Sequence, residues 1–354
     1  MISLAHSNIT KQVRDNVNAC LDENRIGQGR FNKQFEEDTA KYLGVKHAIV
    51  VNNGTMADMV ALGALKAKYP DKTEVIVPAY TFIAQTNAIF MNGLTPVFVD
   101  VGGDFQIDVG QVSEKINEKT LCIFTVHLFG KSSNIIDLKN LADRRGISLV
   151  EDCCEGFGGE LEGKKFGTIG DFGTFSFFPS HTITTGEGGM VITNDYYLAE
   201  LARQVSNHGR RGDSVFDKFH FDVFGYNGKM SNILASIGCA ILPTADEVIE
   251  KRRKNVELYN SILGKDWYAS SPHCYPMVYV SQQDRNAVLQ RLWDNGVEAR
   301  KAFSSLPTQE KVYEHLGYKL GDFPIAESFG ETALFTPVHQ GLTEENIKFI
   351  CSLL

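Results

Sequence analysis

The stretch that decides the fold and the function runs from Ile147 to Thr193 and reads ISLVEDCCEGFGGELEGKKFGTIGDFGTFSFFPSHTITTGEGGMVIT. It opens on an apolar run that ends at Asp152, the pattern of a buried strand with an acidic last residue. Two further strands are predicted at residues 173–178 and 189–193, with His181 in the loop between them. Because the carboxyl ends of parallel strands face the ligand, we expect Asp152 to lie in a binding crevice.

Outside this stretch, apolar strands alternate with helical patterns, which is typical of an α/β fold with a largely parallel sheet. The spacing of apolar residues predicts strands over residues 47–51, 74–77, 95–99 and 121–126, and helices over residues 9–24, 134–145 and 199–206.

The pattern changes near residue 245, where a long charged helix is predicted over residues 245–263. Short strands near residues 275–280, a helix over 284–295 and a C-terminal helix follow. A chain of 354 residues is long enough for one large core and a smaller domain. We therefore predict a large domain over residues 1–244 and a small α+β domain over residues 245–354.

Composition bounds the class of protein. The chain is 43% hydrophobic and 22% charged with a net charge of −8, which argues against a nucleic-acid partner. Seven cysteines without a CxxC or CxC set favour reduced thiols and no metal site. The first residues lack the pattern of a signal peptide and no long apolar run indicates a membrane span, so we expect a cytoplasmic protein.

The residues GDFGTFSFFPSHTITTGEGG resemble the cofactor signature of the DegT/StrS sugar-nucleotide aminotransferases, pyridoxal-phosphate (PLP) enzymes of the aspartate-aminotransferase fold. The resemblance covers nearly the whole chain. It implies a PLP-dependent transferase of fold type I, whose large domain holds a seven-stranded mixed sheet beside a small α+β C-terminal domain. It also implies a homodimer with a shared active site.

His181 occupies the place of the family's lysine, five residues after Ser176 and four intervening residues before the GEGG turn. A lysine here forms a Schiff base with PLP, whereas an imidazole cannot. With an ordinary pKa of about 6.5, an imidazole does suit proton transfer near neutrality. The exchange resembles the 3-dehydratase branch of the family, whose GDP-sugar members act on GDP-4-keto-6-deoxymannose, and it implies non-covalently bound PLP or its aminated form, pyridoxamine phosphate (PMP). The pair Cys153-Cys154 also resembles that branch.

The resemblance implies roles for particular residues. His181 is the expected acid and base. The expected cofactor contacts are Gly54 and Thr55 with Ser176 at the phosphate, Phe82 on the ring, Asp152 at the pyridine nitrogen, Glu155 near the phenolic oxygen, and Asn227 reaching the partner's phosphate. His208, Arg210 and Arg211 are the expected substrate contacts.

Plainer interpretations stand beside several of these roles. The turn at Gly54 is also typical of a helix cap, and an aromatic such as Phe82 is often simple packing. Glu155 fits a solvated acid at a helix start as well as a cofactor contact. Lys164 and Lys165, the alternative Schiff-base lysines, lie in a sequence typical of a hairpin.

The predicted activity is removal of the C3 hydroxyl from a nucleotide-linked 4-keto-6-deoxyhexose in deoxysugar biosynthesis, with glutamate regenerating PMP. One alternative is a sugar-nucleotide aminotransferase that uses His181 as its base. The other is a catalytically silent homologue that binds a nucleotide sugar or regulates a partner. The sequence does not decide between nucleotide bases or sugar stereochemistries.

Overall fold

The computed structural model describes residues 1–132, 134–212, 214–303 and 306–354. In chain order, its helices are α1 (Lys11–Asp22), α2 (Arg30–Leu43), α3 (Gly54–Lys68), α4 (Ile83–Met91), α5 (Val109–Lys115), α6 (Ile135–Arg145), α7 (Tyr196–Ser206), α8 (Asn232–Ile241), α9 (Ala245–Leu263), α10 (Gln282–Asp294), α11 (Pro324–Thr332) and α12 (Glu344–Leu353).

The strands alternate with these helices over most of the chain. They are β1 (His47–Val51), β2 (Glu74–Pro78), β3 (Thr95–Val99), β4 (Thr120–Val126), β5 (Ser148–Asp152), β6 (Glu160–Leu161), β7 (Lys164–Lys165), β8 (Phe172–Ser176), β9 (Gly189–Thr193), β10 (Cys274–Val278), β11 (Arg300–Lys301) and β12 (Ala333–Pro337).

A seven-stranded sheet forms the centre, with strand order β1-β9-β8-β5-β4-β2-β3. Strand β9 is antiparallel to both of its neighbours, while the pairs from β8 to β3 are parallel. Purely parallel sheets need helices on both faces, and this largely parallel sheet has them. The sequence prediction of an α/β fold with a seven-stranded mixed sheet is confirmed.

The two faces of the sheet can be read from single strands. In β1, Ile49 and Val51 belong to the core beneath α3 and α7, whereas Ala48 and Val50 belong to the core beneath α1, α2 and α8. This alternation follows from the two-residue repeat of a strand. Both faces of β4 are covered, so all seven of its residues are buried and five of them are apolar.

Local signals set where several elements end. Helix α1 is shorter than the predicted 9–24 because the Thr10 side chain accepts a hydrogen bond from the N–H of Val13 and caps the helix. Helix α9 spans the predicted residues and ends at Gly264, which has a left-handed φ of 62°. Strand β8 ends at Ser176, two residues earlier than predicted, before the turn in which the His181 N–H bonds to the Phe178 carbonyl.

The C-terminal part contains a three-stranded antiparallel sheet in the order β10-β12-β11. Helices α9, α10 and α12 cover it around a separate apolar core that includes Tyr259, Leu292 and Ile347. The N-terminus joins this part of the chain, since Ile2 pairs with Val297. Residues 1–4 therefore lie beside the C-terminal part, although the predicted large domain included them.

One helical run, Asn232–Leu263, is long and apolar enough to cross a membrane by length and composition alone. Half of its most apolar window is buried inside the protein. Its first part, α8, packs against α1 and α2 in the core. The core helix of a globular protein passes the same test, and α8 lies in such a core.

We predict that Glu151→Ala will destabilise the central sheet. The buried Glu151 carboxylate accepts hydrogen bonds from the N–H groups of Gly167, Ile169 and Gly170 and lies 2.9 Å from His127 Nε2. Removing it leaves buried donors unsatisfied, so the free energy of unfolding should fall by about 3 kcal/mol.

Urea denaturation followed by circular dichroism measures this change. Glu257→Ala, at an exposed position of α9, is the matched control and should change stability by less than about 0.5 kcal/mol. Equal stabilities of the two variants would contradict the structural role of Glu151.

Candidate active site

The site begins at the turn between β1 and α3. Asn53 has an extended backbone, and its side-chain oxygen accepts a hydrogen bond from the Met56 N–H at 2.8 Å, so it caps α3. The N–H groups of a helix's first turn lack intrahelical partners, and with the helix dipole they favour an anion. Gly54 and Thr55 at this turn line a cavity of about 840 Å³.

Ser176 brings the end of β8 to the same turn. A Cβ atom placed on Gly54 would lie 2.6 Å from the Ser176 Cβ and 3.1 Å from its hydroxyl oxygen. Only glycine allows this close approach. The serine hydroxyl and the amino end of α3 therefore face one space, and both can hold the same anion.

Two carboxyl groups are buried side by side beneath this space. Asp152, the last residue of β5, accepts a hydrogen bond from the Cys154 N–H at 2.9 Å, and Asp58 of α3 accepts one from the Thr174 hydroxyl at 2.7 Å. Burial, together with the charge of Asp152, holds the pKa of Asp58 well above its usual range. Burial also raises the pKa of Asp152. We place the proton on Asp58 and the negative charge on Asp152.

His181 lies in the loop after β8, outside any helix or strand. The buried guanidinium of Arg252 on α9 donates a hydrogen bond to the His181 carbonyl at 2.8 Å. Burial, and then the charge of Arg252, lower the pKa of the His181 imidazole to about 3. The ring is therefore neutral at pH 7, and in this structure it is a weaker base than the ordinary imidazole on which the sequence prediction relied. Its Nδ1 is buried without a hydrogen-bond partner among the described residues.

Glu155 follows Asp152 by three residues and faces the same cavity. One carboxyl oxygen accepts a hydrogen bond from the Phe129 N–H at 2.7 Å, and the other lies 3.6 Å from His273 Nε2. Its side chain is 14% exposed. Burial and, to a smaller extent, the nearby charge of Asp152 raise the pKa of Glu155 to about 8. At pH 7 this side chain carries a proton and can donate a hydrogen bond.

The mouth of the cavity combines aromatic and basic side chains. Phe82, which directly precedes α4, is 59% exposed, and its ring lies 6.3 Å from that of Phe303. Arg300 and Lys301 on β11 line the cavity and are also exposed. An apolar ring surface beside two cations suits a ligand that is partly aromatic and partly anionic.

Seven of the predicted site residues line this one cavity. They are Gly54, Thr55, Phe82, Asp152, Glu155, Ser176 and His181. Sequence reasoning assigned no role to several further lining residues, among them Asp58, His273, Arg300 and Lys301. An acid in the otherwise apolar helix α3 was a usable signal for Asp58. The other three lie in segments whose packing onto the cavity leaves no local pattern.

The remaining predicted residues lie outside the cavity lining. The carbonyl of Asn227 accepts a hydrogen bond from Asn52, just behind the phosphate turn. Arg211 is exposed and forms an ion pair with Asp222 at 2.6 Å. Arg210 and Arg211 line a separate pocket of about 120 Å³, and His208 is exposed on the same loop. The substrate roles of His208, Arg210 and Arg211, and the role of Asn227 in a partner's site, stay predictions.

Lys164 and Lys165 form the second strand of the hairpin β6–β7. The Lys165 ammonium lies 4.4 Å from the centre of the Tyr42 ring. Neither lysine is among the described residues that line the cavity. Within this cavity Lys301 is the described lysine, and it lies on β11 rather than in the loop after Ser176.

The donor set fits a phosphorylated pyridine cofactor. Gly54 leaves open a cradle between α3 and Ser176 that a Cβ atom would fill. Asp152 offers a buried carboxylate for a protonated ring nitrogen, and Glu155 offers a proton to a phenolate oxygen. The unpartnered Nδ1 of His181 shows that this ring has hydrogen-bonding capacity left for a further partner. These residues would hold PLP or PMP.

Comparisons with known proteins agree with this geometry. Residues 7–354 match the model of the DegT/DnrJ/EryC1/StrS aminotransferase family. The chain is 34% identical to GDP-perosamine synthase of Vibrio cholerae, over 100% of this chain and 98% of the relative.

Two solved structures are similar over almost their whole length. One is PseC of Helicobacter pylori, an aminotransferase involved in the biosynthesis of pseudaminic acid, with a TM-score of 0.92 and 27% identity over 99% of this chain and 97% of the other. The second is the GDP-4-keto-6-deoxy-D-mannose-3-dehydratase of E. coli with bound hydrated PLP, with a TM-score of 0.91 and 26% identity over 100% and 99%.

We predict that Gly54→Ala will weaken PLP binding by about 10- to 100-fold, because the added methyl group would force Ser176 and the start of α3 apart. A titration of the apoprotein followed by PLP absorbance measures the dissociation constant. Gly27→Ala is the control, since a Cβ atom there meets nothing within 4 Å. Unchanged PLP affinity in Gly54→Ala would place the phosphate elsewhere.

Proposed function

This chain belongs to the DegT/DnrJ/EryC1/StrS aminotransferase family, which binds PLP and PMP, and from that premise we propose that it is a PMP-dependent nucleotide-sugar 3-dehydratase. The substrate class is a nucleotide-linked 4-keto-6-deoxyhexose resembling GDP-4-keto-6-deoxymannose. The reaction replaces the C3 hydroxyl with hydrogen. The enzyme would work in the cytoplasm, in deoxysugar biosynthesis.

The observation that carries the proposal is the imidazole of His181 in the loop after Ser176. A lysine there would release an aminated sugar by taking the cofactor back into covalent linkage. His181 can move a proton but cannot take the cofactor back. The cofactor would thus be held by non-covalent contacts alone, and deoxygenation would be favoured over release of an aminosugar.

When bound, PMP supplies the amine that condenses with the C4 ketone and a pyridine ring that withdraws electrons. Gly54, Thr55 and Ser176 hold its phosphate in the cradle at the start of α3. Asp152 keeps the ring nitrogen protonated by its negative charge. Phe82 lies at the mouth, where it can cover the ring face and exclude water.

His181 carries the proton transfers. As a neutral imidazole, it would accept a proton from the C4′ carbon of the bound cofactor and give it to the C3 hydroxyl, which would leave as water. Glutamate would supply the amino group that restores PMP. In the net reaction the sugar loses its C3 oxygen, and glutamate supplies the two electrons as it becomes 2-oxoglutarate and ammonia.

We also propose a homodimer with a shared site. The segment after α7 exposes several aromatic side chains, including Phe216 at 86% and Phe224 at 101%. Exposed apolar clusters of this kind mark protein interfaces. Asn227 lies at the end of this segment and outside its own chain's cavity, where a second copy could bring it to a neighbouring cofactor.

A sugar-nucleotide aminotransferase is the second candidate, and the 34% identity to GDP-perosamine synthase favours it. Both activities use the same cofactor and substrate class. They differ in the fate of the C3 oxygen, which makes them separable by product mass.

The test is mass spectrometry of the products formed from PMP, glutamate and a panel of nucleotide 4-keto-6-deoxysugars. We expect loss of the C3 oxygen with release of ammonia, and a decrease of at least about 100-fold in His181→Asn. Gain of an amino group with the C3 oxygen retained would instead establish the aminotransferase. Absence of turnover on every panel member would support the silent homologue.

We predict that PLP affinity decreases as pH rises through about 8. Because burial raises the pKa of Glu155 to about 8, the group is protonated below that pH and donates to the cofactor's phenolic oxygen. Above it the carboxylate repels that oxygen, so affinity should fall by up to about tenfold per pH unit. PLP titrations between about pH 6 and pH 10 measure the effect.

Glu155→Gln keeps a donor at every pH and should abolish this decrease, while Glu257→Gln, at an exposed position of α9, should retain it. An identical pH dependence in Glu155→Gln and the unsubstituted protein would contradict this role for Glu155.

A further inference from the structure

A second histidine faces His181 across the cavity. His273 lies in the segment just before β10, and its ring centre is 5.1 Å from that of His181, with the planes tilted by 42°. Both residues line the same space. The two rings come from distant parts of the sequence, so their meeting is a property of the fold.

We propose that His273 is a positioning residue for His181, holding its imidazole in the orientation and tautomer that proton transfer at C4′ requires. This proposal rests on the proposed function of His181. His273 would act by offering a ring nitrogen to His181, and Glu155 lies 3.6 Å from the Nε2 atom of His273.

Glu155 and Phe129 both lie against the segment that carries His273. A carboxyl oxygen of Glu155 lies 3.6 Å from His273 Nε2, and the other accepts the Phe129 N–H at 2.7 Å. The carbonyl of Phe129 accepts the His273 N–H at 3.3 Å. Phe129 has a left-handed φ of 58°, an uncommon conformation for a non-glycine residue. The backbone of Phe129 thus bonds to the Glu155 carboxyl group and to the backbone N–H of His273.

Arg252 fixes the spacing between the two histidine loops. Its guanidinium is 1% exposed and donates to the carbonyls of His181 and Ser180 on one loop, at 2.8 and 3.4 Å. On the other loop it donates to the carbonyls of Pro272 and His273, at 3.2 and 3.5 Å. One side chain therefore holds both loops at a set distance.

Both rings retain a free hydrogen-bonding atom. The Nδ1 atoms of His181 and His273 are buried and have no hydrogen-bond partner in the described part of the chain. Buried polar atoms normally find partners, so two such atoms on facing rings point to a bond that forms when the cavity is filled. At a centroid separation of 5.1 Å, rotation of the rings would bring two nitrogens within bonding distance.

The charges around the pair keep it neutral. The groups that act on His273 are Glu155, His181, Arg252 and Arg300, and Asp152 lies beside Glu155. Burial and the neighbouring cations hold the pKa of His273 well below its usual range. In a hydrogen bond between two neutral imidazoles, one ring donates and the other accepts. The tautomer of one ring therefore determines the tautomer of the other.

The test compares His273→Phe and His273→Gln with the unsubstituted protein. Phenylalanine keeps the bulk of the ring without a hydrogen-bonding atom, whereas glutamine keeps a donor and an acceptor. We expect His273→Phe to lower kcat for deoxygenation by about 10- to 100-fold with KM unchanged, and His273→Gln to recover part of it. His47→Phe, on the outer strand β1, is the control and should leave kcat unchanged.

Nitrogen NMR of ¹⁵N-histidine-labelled protein gives a readout that does not depend on turnover. In His273→Phe the His181 ring signals should move toward a mixture of tautomers, with His273→Gln closer to the unsubstituted protein. Unchanged His181 signals would overturn the proposal even if the variant lost activity. A change confined to KM would also overturn it, because His273 would then be a substrate contact.

The two hypotheses fail in different ways. If no sugar is deoxygenated, the proposed function fails while the NMR comparison still decides whether His273 sets the state of His181. If deoxygenation occurs and His273→Phe has a normal kcat, the function stands and the positioning role is wrong.

Discussion

The arrangement of the site depends on the hydrogen bonds that the Arg252 guanidinium donates to backbone carbonyls. A buried cation is costly unless hydrogen bonds compensate it, and Arg252 finds its acceptors in backbone carbonyls of the loops that carry His181 and His273. Helix α9 of the C-terminal part thereby positions a loop of the central sheet that has no secondary structure of its own. The same cation, together with burial, keeps His181 neutral at pH 7. Arg252 thus positions the expected base, and burial is the larger cause of its neutral state.

The opposite wall of the cavity follows from local sequence. Strands β5 and β8 are parallel neighbours, with Asp152 opposite Thr174. Their carboxyl ends therefore lie at the same edge of the sheet. Strand β1 leads into α3, whose start lies at that edge, and Gly54 permits the close contact between α3 and Ser176. Because each of these features is encoded within a few residues, the sheet and the acid, serine and glycine of the site could be predicted from the sequence.

Other parts of the site depend on packing that no short pattern records. His273, Arg300 and Lys301 reach the cavity only because the three-stranded sheet of the C-terminal part packs against it. Asp58 acquires its raised pKa from burial beside Asp152, a contact between a helix and a strand. Asn227 and Arg211 lie outside the cavity of their own chain, and their predicted roles depend on a second copy or on a substrate.

The central claim is that the cofactor is held without a covalent bond and that His181 is the base. Borohydride reduction of the PLP-loaded protein, followed by peptide mass spectrometry, tests it most directly. We expect denaturation to release PLP and no lysine to carry a stoichiometric phosphopyridoxyl group. A stoichiometric phosphopyridoxyl group on a lysine, with Lys301 the described lysine in the cavity, would contradict it.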